Sequence, residues 1–381
     1  MFDPAFIKLL EESVGPERSA ALLDALEKDA SVSVRLNPSR MRECPFPDAV
    51  PVPWSPYGYI LKERPAFIMD PLMHAGCYYV QDSSAMFPGE VFRRMLDGFG
   101  EGVQVLDLCA APGGKTTDLS ASLRERFSDK FRLIANEVVR KRFQVLRSNV
   151  ETWGEPRTAV VSMDPSQFGA RELFDIILAD VPCSGEGMFR KDNVARDEWS
   201  PENVEFCASR QRKILADIWP SLRPGGVLIY STCTFNHLEN DDNLQWAARE
   251  FGAEIVDIGP VPEGVIKSRC GYALLPGFVP GEGQWVGVLL KDGPRSAVPA
   301  PDAARILRAE FPFIGIPDYP MVDVDKPTAL AYLHGEAVRL TGAPIGLINI
   351  CYQGHPLGAA KSIGTRCNNL FPKERRIRKD V

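Results

Sequence analysis

The sequence predicts an α/β chain built on a doubly wound, Rossmann-like parallel sheet, with a helical region before it and a small β-rich unit after it. From about residue 103, short apolar runs alternate with amphipathic helical patterns, the texture of parallel strands joined by crossover helices. A glycine-rich turn, Cys109-Ala110-Ala111-Pro112-Gly113-Gly114-Lys115, directly follows the first of these runs. Proline-rich stretches at 44–72 and 292–301 separate this region from its flanks. A chain of 381 residues suits two or three domains, and the expected boundaries are 1–95, 96–292 and 293–381.

At the N-terminus, Asp3 can cap a helix and Pro4 suits its first position, with Phe6, Ile7, Leu9 and Leu10 on one face. Gly15-Pro16 breaks that helix, and a second runs through Leu22, Leu23 and Leu26. The prolines of 44–72 predict irregular or edge structure. Strands are then expected at Val103–Leu108, Arg132–Asn136, Thr158–Met163, Phe174–Ala179 and Val227–Ser231, with helices near 115–126, 138–150 and 203–221 between them. Further strands are expected at 253–258 and 284–290. After a linker at 292–301, strands at 336–340 and 345–351 precede a basic tail.

Composition narrows the class. With 45% hydrophobic and 25% charged residues the chain is globular. The nine cysteines contain no C-x-x-C pair, which argues against a structural zinc site and a disulfide framework and predicts reduced, cytoplasmic thiols. No metal site is expected, and no apolar run approaches the ~20 residues of a membrane span. The net charge of −6 disfavours binding nucleic acid through bulk positive charge. That charge is polarised, however: residues 361–381 carry +5 and residues 1–360 carry −11. Arg140, Lys141, Arg142 and Arg147 form a second basic group that reads first as a solvated helix face.

Ligands of doubly wound sheets bind beyond the carboxyl ends of the strands. The 109–115 turn lies there and matches neither G-x-G-x-x-G nor the phosphate-binding G-x-x-x-x-G-K-[ST], since Cys109 stands where the first glycine would be. The next two strands end in acids, Glu137 and Asp164. An acid after the second strand can accept from ribose hydroxyls, and one after the third is placed for an adenine. Each alone reads as a capping carboxylate; three positions in register point to a ligand rim. The fourth strand leads into Asp180-Val-Pro-Cys183-Ser-Gly-Glu-Gly and the fifth into Ser231-Thr-Cys233-Thr. The other cysteines read as small buried hydrophobes, but these two follow adjacent strand ends. Of the four histidines only His237 lies near a motif, so Cys–His hydrolysis has little support.

C-A-A-P-G-G-K-T, D-V-P-C-S-G-E-G and S-T-C-T in this order resemble the NOL1/NOP2/Sun family of RNA (cytosine-5) methyltransferases, most strongly over about 30–290. Trp199-Ser-Pro-Glu202 and Leu222-Arg-Pro-Gly-Gly226 are also similar to that family, and Phe189-Arg-Lys-Asp192 with the C-terminal segment resembles the bacterial branch that methylates 16S rRNA. Pro356-Leu-Gly and Asn368-Asn-Leu-Phe-Pro372 are similar to that branch's PUA-like RNA-binding end. The resemblance implies S-adenosylmethionine as cofactor, held by residues 109–115, Glu137, Asp164 and Asp180. It implies Cys233 as the nucleophile that adds to carbon 6 of cytosine, Cys183 as the residue that assists release, Asp180 against ring nitrogen 3 and the exocyclic amine, and Lys115 orienting the base. It implies RNA, 16S rRNA or the 30S subunit, as partner of a cytoplasmic monomer. Ser33-Val-Arg35-Leu-Asn37 resembles the entry to the family's RNA-contacting region, and Gln81-Asp-Ser-Ser84 a segment packing near the cofactor. A tRNA substrate, a non-catalytic ribosome assembly factor and, less favoured, a DNA methyltransferase are the alternatives.

Overall fold

The computed structural model describes residues 2–169, 171–295 and 300–378. Residues 296–299 of the expected linker, and Lys379 and Asp380 of the basic tail, lie outside the described residues. The chain opens with the helices Pro4–Val14 and Pro16–Leu26, split at Gly15, with the Asp3 side chain accepting from the Ala5 amide as expected. Four short antiparallel strands follow, β1 (Val32–Leu36), β2 (Val50–Pro51), β3 (Gly58–Leu61) and β4 (Tyr78–Val80), in the order β2-β3-β1-β4.

The central sheet begins with β5 (Val103–Asp107), β6 (Phe131–Asn136), β7 (Thr158–Val161), β8 (Phe174–Asp180) and β9 (Leu222–Thr232), all mutually parallel. Each overlaps an expected strand. It continues through β10 (Glu254–Ile255), β11 (Ile266–Lys267), β12 (Tyr272–Leu274) and β13 (Gln284–Leu290), which pair antiparallel. The spatial order is β11-β12-β13-β9-β8-β5-β6-β7, with β10 on β13. The chain winds outward from β5 through β6 to β7, then returns to place β8 on the other side of β5. That reversal opens a crevice beyond the ends of β5 and β8. Helices Phe87–Leu96 and Gly114–Phe127 pack Phe87, Val91, Phe92, Leu119 and Leu123 on one face. Helix Pro201–Ile218 and helix Asp241–Phe251 pack Val204, Leu215 and Leu244 on the other.

The C-terminal unit holds the helix Lys326–His334 and strands β14 (Met321–Asp323), β15 (Gly346–Tyr352), β16 (His355–Ser362) and β17 (Cys367–Asn369) in sequential order. Two expectations need correction. Residues 336–340 form no strand; only Val338 bridges to Cys367. Strand β16 was not anticipated, because Pro356 and Gly358 interrupt its pattern. The pairing accommodates this part of the strand with a register shift between Ile350 and Cys351, which faces Pro356. Val34, Leu36 and Tyr78 of the N-terminal sheet share one core with Tyr332, Leu333, Ile348 and Ile350, so the two flanking units meet.

Candidate active site

The crevice is lined on one side by the loop after β5. Gly113 has φ 110°, a left-handed conformation suited to glycine, where the loop turns into helix Gly114–Phe127. A Cβ on Gly114 would lie 3.3 Å from the Tyr79 ring and 3.4 Å from the Gln81 amide, so the segment around Gln81 backs this loop as expected. Arg142 donates from Nη2 to the Ala111 carbonyl at 2.7 Å, which engages one of the four basic helix residues in bracing the loop.

Cys109, Glu137 and Asp164 come together around a cleft of about 300 Å³, with Val138, Val139, Pro165 and Ile214 supplying an apolar wall. Glu137 uses Oε1 to accept from the Val139 amide at 2.8 Å. Its Oε2 is buried and accepts no hydrogen bond, with Arg142 3.4 Å away. Asp164 also caps the turn that follows it, accepting from the Ser166 amide and hydroxyl, and these bonds hold its carboxyl below the ordinary range. Burial pushes the Cys109 thiol well up, with nearby carboxylates adding to the effect. A buried carboxylate oxygen that accepts no hydrogen bond, beside an apolar wall, fits a ribose diol and a purine.

On the other side of the crevice, Cys183 and Cys233 follow the parallel neighbours β8 and β9, and their Sγ atoms stand 3.2 Å apart. The contact with Cys233 and burial together push the Cys183 thiol well above its ordinary value. Asp180, the last residue of β8, receives Lys115 Nζ at 2.9 Å on Oδ2 and Ser231 Oγ at 2.7 Å on Oδ1, with Gln284 Nε2 at 3.2 Å from Oδ1. Burial alone would lower the Lys115 ammonium, but Asp180 overrides it, Cys233 and Asp107 add to the effect, and the net shift is upward.

Four residues, in three features, escaped the sequence reading. Asp107 ends β5 fully buried; Thr116 Oγ1 donates to its Oδ2 at 2.6 Å and its Oδ1 has no partner. Its place one strand residue before the glycine turn was a usable signal. Gln284 opens an antiparallel strand, where nothing in the local pattern marks it. Glu186 and Glu239 form a third, buried feature taken up below. His237 bonds Asp242 at 2.7 Å and takes no part in the cysteine pair.

Two expectations about RNA contact are overturned. Arg35 is only 1% exposed and faces inward. It donates to Gln81 Oε1 at 2.8 Å, Thr117 Oγ1 at 2.5 Å and the Gly114 carbonyl at 3.0 Å, with its guanidinium over Trp153. Arg375 of the basic tail is likewise largely enclosed, 3.7 Å from Glu151, while Ile377 is buried. The tail packs on helix Lys326–His334, bonding Leu333 and His334 through Ile377, and leaves Lys361, Arg366, Lys373 and Arg378 exposed. Among the described residues no helix is long and apolar enough to cross a membrane.

Residues 96–267 match the family described as 16S rRNA methyltransferase RsmB/F, residues 2–83 the N-terminal domain of 16S rRNA methyltransferase RsmF, and residues 319–377 the methyltransferase RsmF PUA domain. The ribosomal RNA small subunit methyltransferase F of Escherichia coli K12 is 32% identical over 83% of this chain and 68% of its own length. That of Pectobacterium atrosepticum is 35% identical over 66% of this chain, which spans about half (53%) of that relative. A solved methyltransferase homolog from Pyrococcus horikoshii superposes with a TM-score of 0.63 at 25% identity, covering 76% of this chain and 95% of its own. A Rossmann-like sheet flanked by these N-terminal and PUA units, together with this similarity, establishes that the chain belongs to the 16S rRNA methyltransferase RsmB/F family.

Proposed function

We propose that this protein methylates carbon 5 of a cytosine in RNA, most specifically in 16S rRNA, through a covalent cysteine adduct. The observation that carries this reading is the Cys183–Cys233 pair at adjacent strand ends, beside the Lys115–Asp180 ion pair. S-adenosylmethionine supplies the methyl group as a sulfonium electrophile, held by residues 109–115, Glu137, Asp164 and Asp180. The chain's family membership and the Glu137 oxygen that accepts no hydrogen bond at the apolar cleft support that assignment. No metal is required by this chemistry.

Carbon 5 of cytosine is a weak nucleophile. Cys233 as thiolate forms an Sγ–C6 bond, and the electrons of the C5–C6 double bond become available at carbon 5. Asp180 accepts from the exocyclic amine and engages ring nitrogen 3 through a proton held between them, while the Lys115 ammonium offsets the negative charge that builds on the ring. Cys183 then assists transfer of the carbon-5 proton to solvent; the C–H electron pair restores the double bond, and the C6–Sγ bond breaks with its electrons returning to Cys233. The target base enters unpaired. Residues 1–95, 96–292 and 293–381 serve as the N-terminal, catalytic and PUA-like units of a cytoplasmic monomer, with Lys361, Arg366, Lys373 and Arg378 contacting phosphates.

The test compares Cys233→Ala with Cys183→Ala, incubated with S-adenosylmethionine and 16S rRNA. Cys233→Ala is expected to lose methylation and adduct, and Cys183→Ala to accumulate a protein–RNA adduct stable in denaturant. Normal turnover by Cys183→Ala with cross-linking by Cys233→Ala would reverse the roles. Bisulfite mapping of cells with and without the protein checks the substrate, and an unchanged set of rRNA methylcytosines refutes it.

A further inference from the structure

Two buried carboxylates cross between the loops that carry the cysteines. Glu186 lies on the Cys183 loop yet serves the Cys233 loop. Its Oε2 accepts from the backbone amides of Phe235 at 2.6 Å and Asn236 at 3.1 Å. Its Oε1 accepts from Asn236 Nδ2 at 2.9 Å and Trp199 Nε1 at 3.1 Å. Glu239 lies beyond Cys233 and does the converse. Its Oε2 accepts from the Ser184 amide at 3.0 Å and from Gln211 Nε2 at 2.7 Å, and the same Gln211 group also holds the Pro182 carbonyl at 3.0 Å. Its Oε1 accepts from Asn236 Nδ2 at 2.9 Å.

Glu186 is 1% exposed and Glu239 is fully buried. Among the described residues no lysine, arginine or histidine forms an ion pair with either. Two acids enclosed together on neutral donors alone are costly to keep, and burial with the nearness of Glu186 raises the Glu239 carboxyl. Apolar side chains would fill the same space at lower cost, so the arrangement calls for a purpose beyond packing. Gly187 shows how closely the loops are matched: its amide donates to the Cys233 carbonyl at 2.8 Å, and a Cβ there would lie 2.8 Å from that oxygen.

We propose that Glu186 and Glu239 are positioning residues that form a reciprocal clasp, Glu186 fixing the Cys233 loop for attack and Glu239 fixing the Cys183 loop for release. This rests on the reaction proposed above. The division of labour follows from which backbone each carboxylate holds. Loss of Glu239 removes the acceptor of the Ser184 amide and of the Gln211 group that holds Pro182, loosening the backbone around Cys183, while the bonds of Glu186 and Gly187 to the Cys233 side remain. Loss of Glu186 has the opposite effect.

The isosteric variants Glu239→Gln and Glu186→Gln keep volume and one acceptor oxygen but turn an amide toward backbone or side-chain donors. Full-length protein is incubated with 16S rRNA and S-adenosylmethionine, and both methyl incorporation and denaturant-stable adduct are measured. Glu239→Gln is expected to lower turnover about tenfold while raising standing adduct severalfold, as Cys183→Ala does. Glu186→Gln, and Gly187→Ala by pressing on the Cys233 carbonyl, are expected to lower adduct formation about tenfold when placed in the Cys183→Ala background. A general loss of structure would lower adduct in every variant. Equal loss of adduct in both carboxylate variants, or wild-type behaviour in either, overturns the clasp. Absence of adduct in Cys183→Ala alone instead refutes the reaction on which it rests.

Discussion

Replacing Arg35 by methionine tests whether this arginine is a strut or an RNA contact. The substitution preserves an unbranched apolar stem but removes the guanidinium that joins β1 to the helix starting at Gly114. Gln81 Oε1, the Gly114 carbonyl and Thr117 Oγ1 each lose a donor, while Thr117 Oγ1 still donates to the Gly114 carbonyl. Asp118 loses an ion-pair partner 3.8 Å away but keeps Arg93 at 3.2 Å, so the residual carboxylate is not left alone. Removing one partner from a buried, hydrogen-bonded charge network costs about 3–5 kcal/mol. Retention of Arg93 argues for the lower end, about 3 kcal/mol, which is about two orders of magnitude in the folding constant. Urea unfolding followed by tryptophan fluorescence measures this directly, since Trp153 lies under the Arg35 guanidinium at 4.7 Å. Filter binding of 16S rRNA below the unfolding transition supplies the second readout. A stability change under about 1 kcal/mol combined with a large loss of RNA affinity would refute the strut and restore the surface role.

Asp107 supplies a pH signature. Burial lifts its carboxyl from 3.8 to about 7 despite the Thr116 bond, so between these values the folded chain holds a proton that the unfolded chain has released. Its contribution to stability therefore falls as pH rises from about 4 to about 7. Asp107→Asn removes this dependence, and thermal midpoints of the two proteins across that window should diverge at the high end in favour of the variant. A parallel pair of curves would contradict the assignment. For RNA, changing Lys361, Arg366, Lys373 or Arg378 singly to glutamine should weaken affinity across sequences and reduce the log–log salt slope by about 1 each. Arg375→Gln should instead lower stability, because its guanidinium faces Glu151 inside the fold.

The parallel half of the sheet was legible because its strands are buried on both faces and read as uninterrupted apolar runs. The cysteines could be singled out for the same reason: each follows such a run, and neighbouring parallel strands deliver their ends to one edge. Arg35 misled because a charged residue within an alternating segment ordinarily faces water, and its partners lie 46 to 82 residues away. Glu186 and Glu239 were hidden similarly, since their partners are distant in sequence: Phe235 and Asn236 for Glu186, Ser184 and Gln211 for Glu239. The C-terminal strands were the least readable, being short, edge-like and interrupted by proline and glycine. The −6 net charge was a poor guide to partners, since the exposed cations of the C-terminal unit act locally.

The pairing of β8 with β9 has a consequence for how the family can vary. Phe174 faces Leu222 and Ile176 faces Val227, so β9 spends three more residues than β8 at the end remote from the cysteines. From Ile177–Leu228 to Asp180–Ser231 the pairing then runs in step, with β13 bound along the other edge of β9 as far as Thr232. Length changes near Pro224–Gly226 fall in a part of the strand that is already out of step and can be absorbed there. One residue added between Leu228 and Thr232 would turn every later side chain to the opposite face. The sheet thus tolerates insertion and deletion at its rear edge while holding the spacing of its two sulphurs constant.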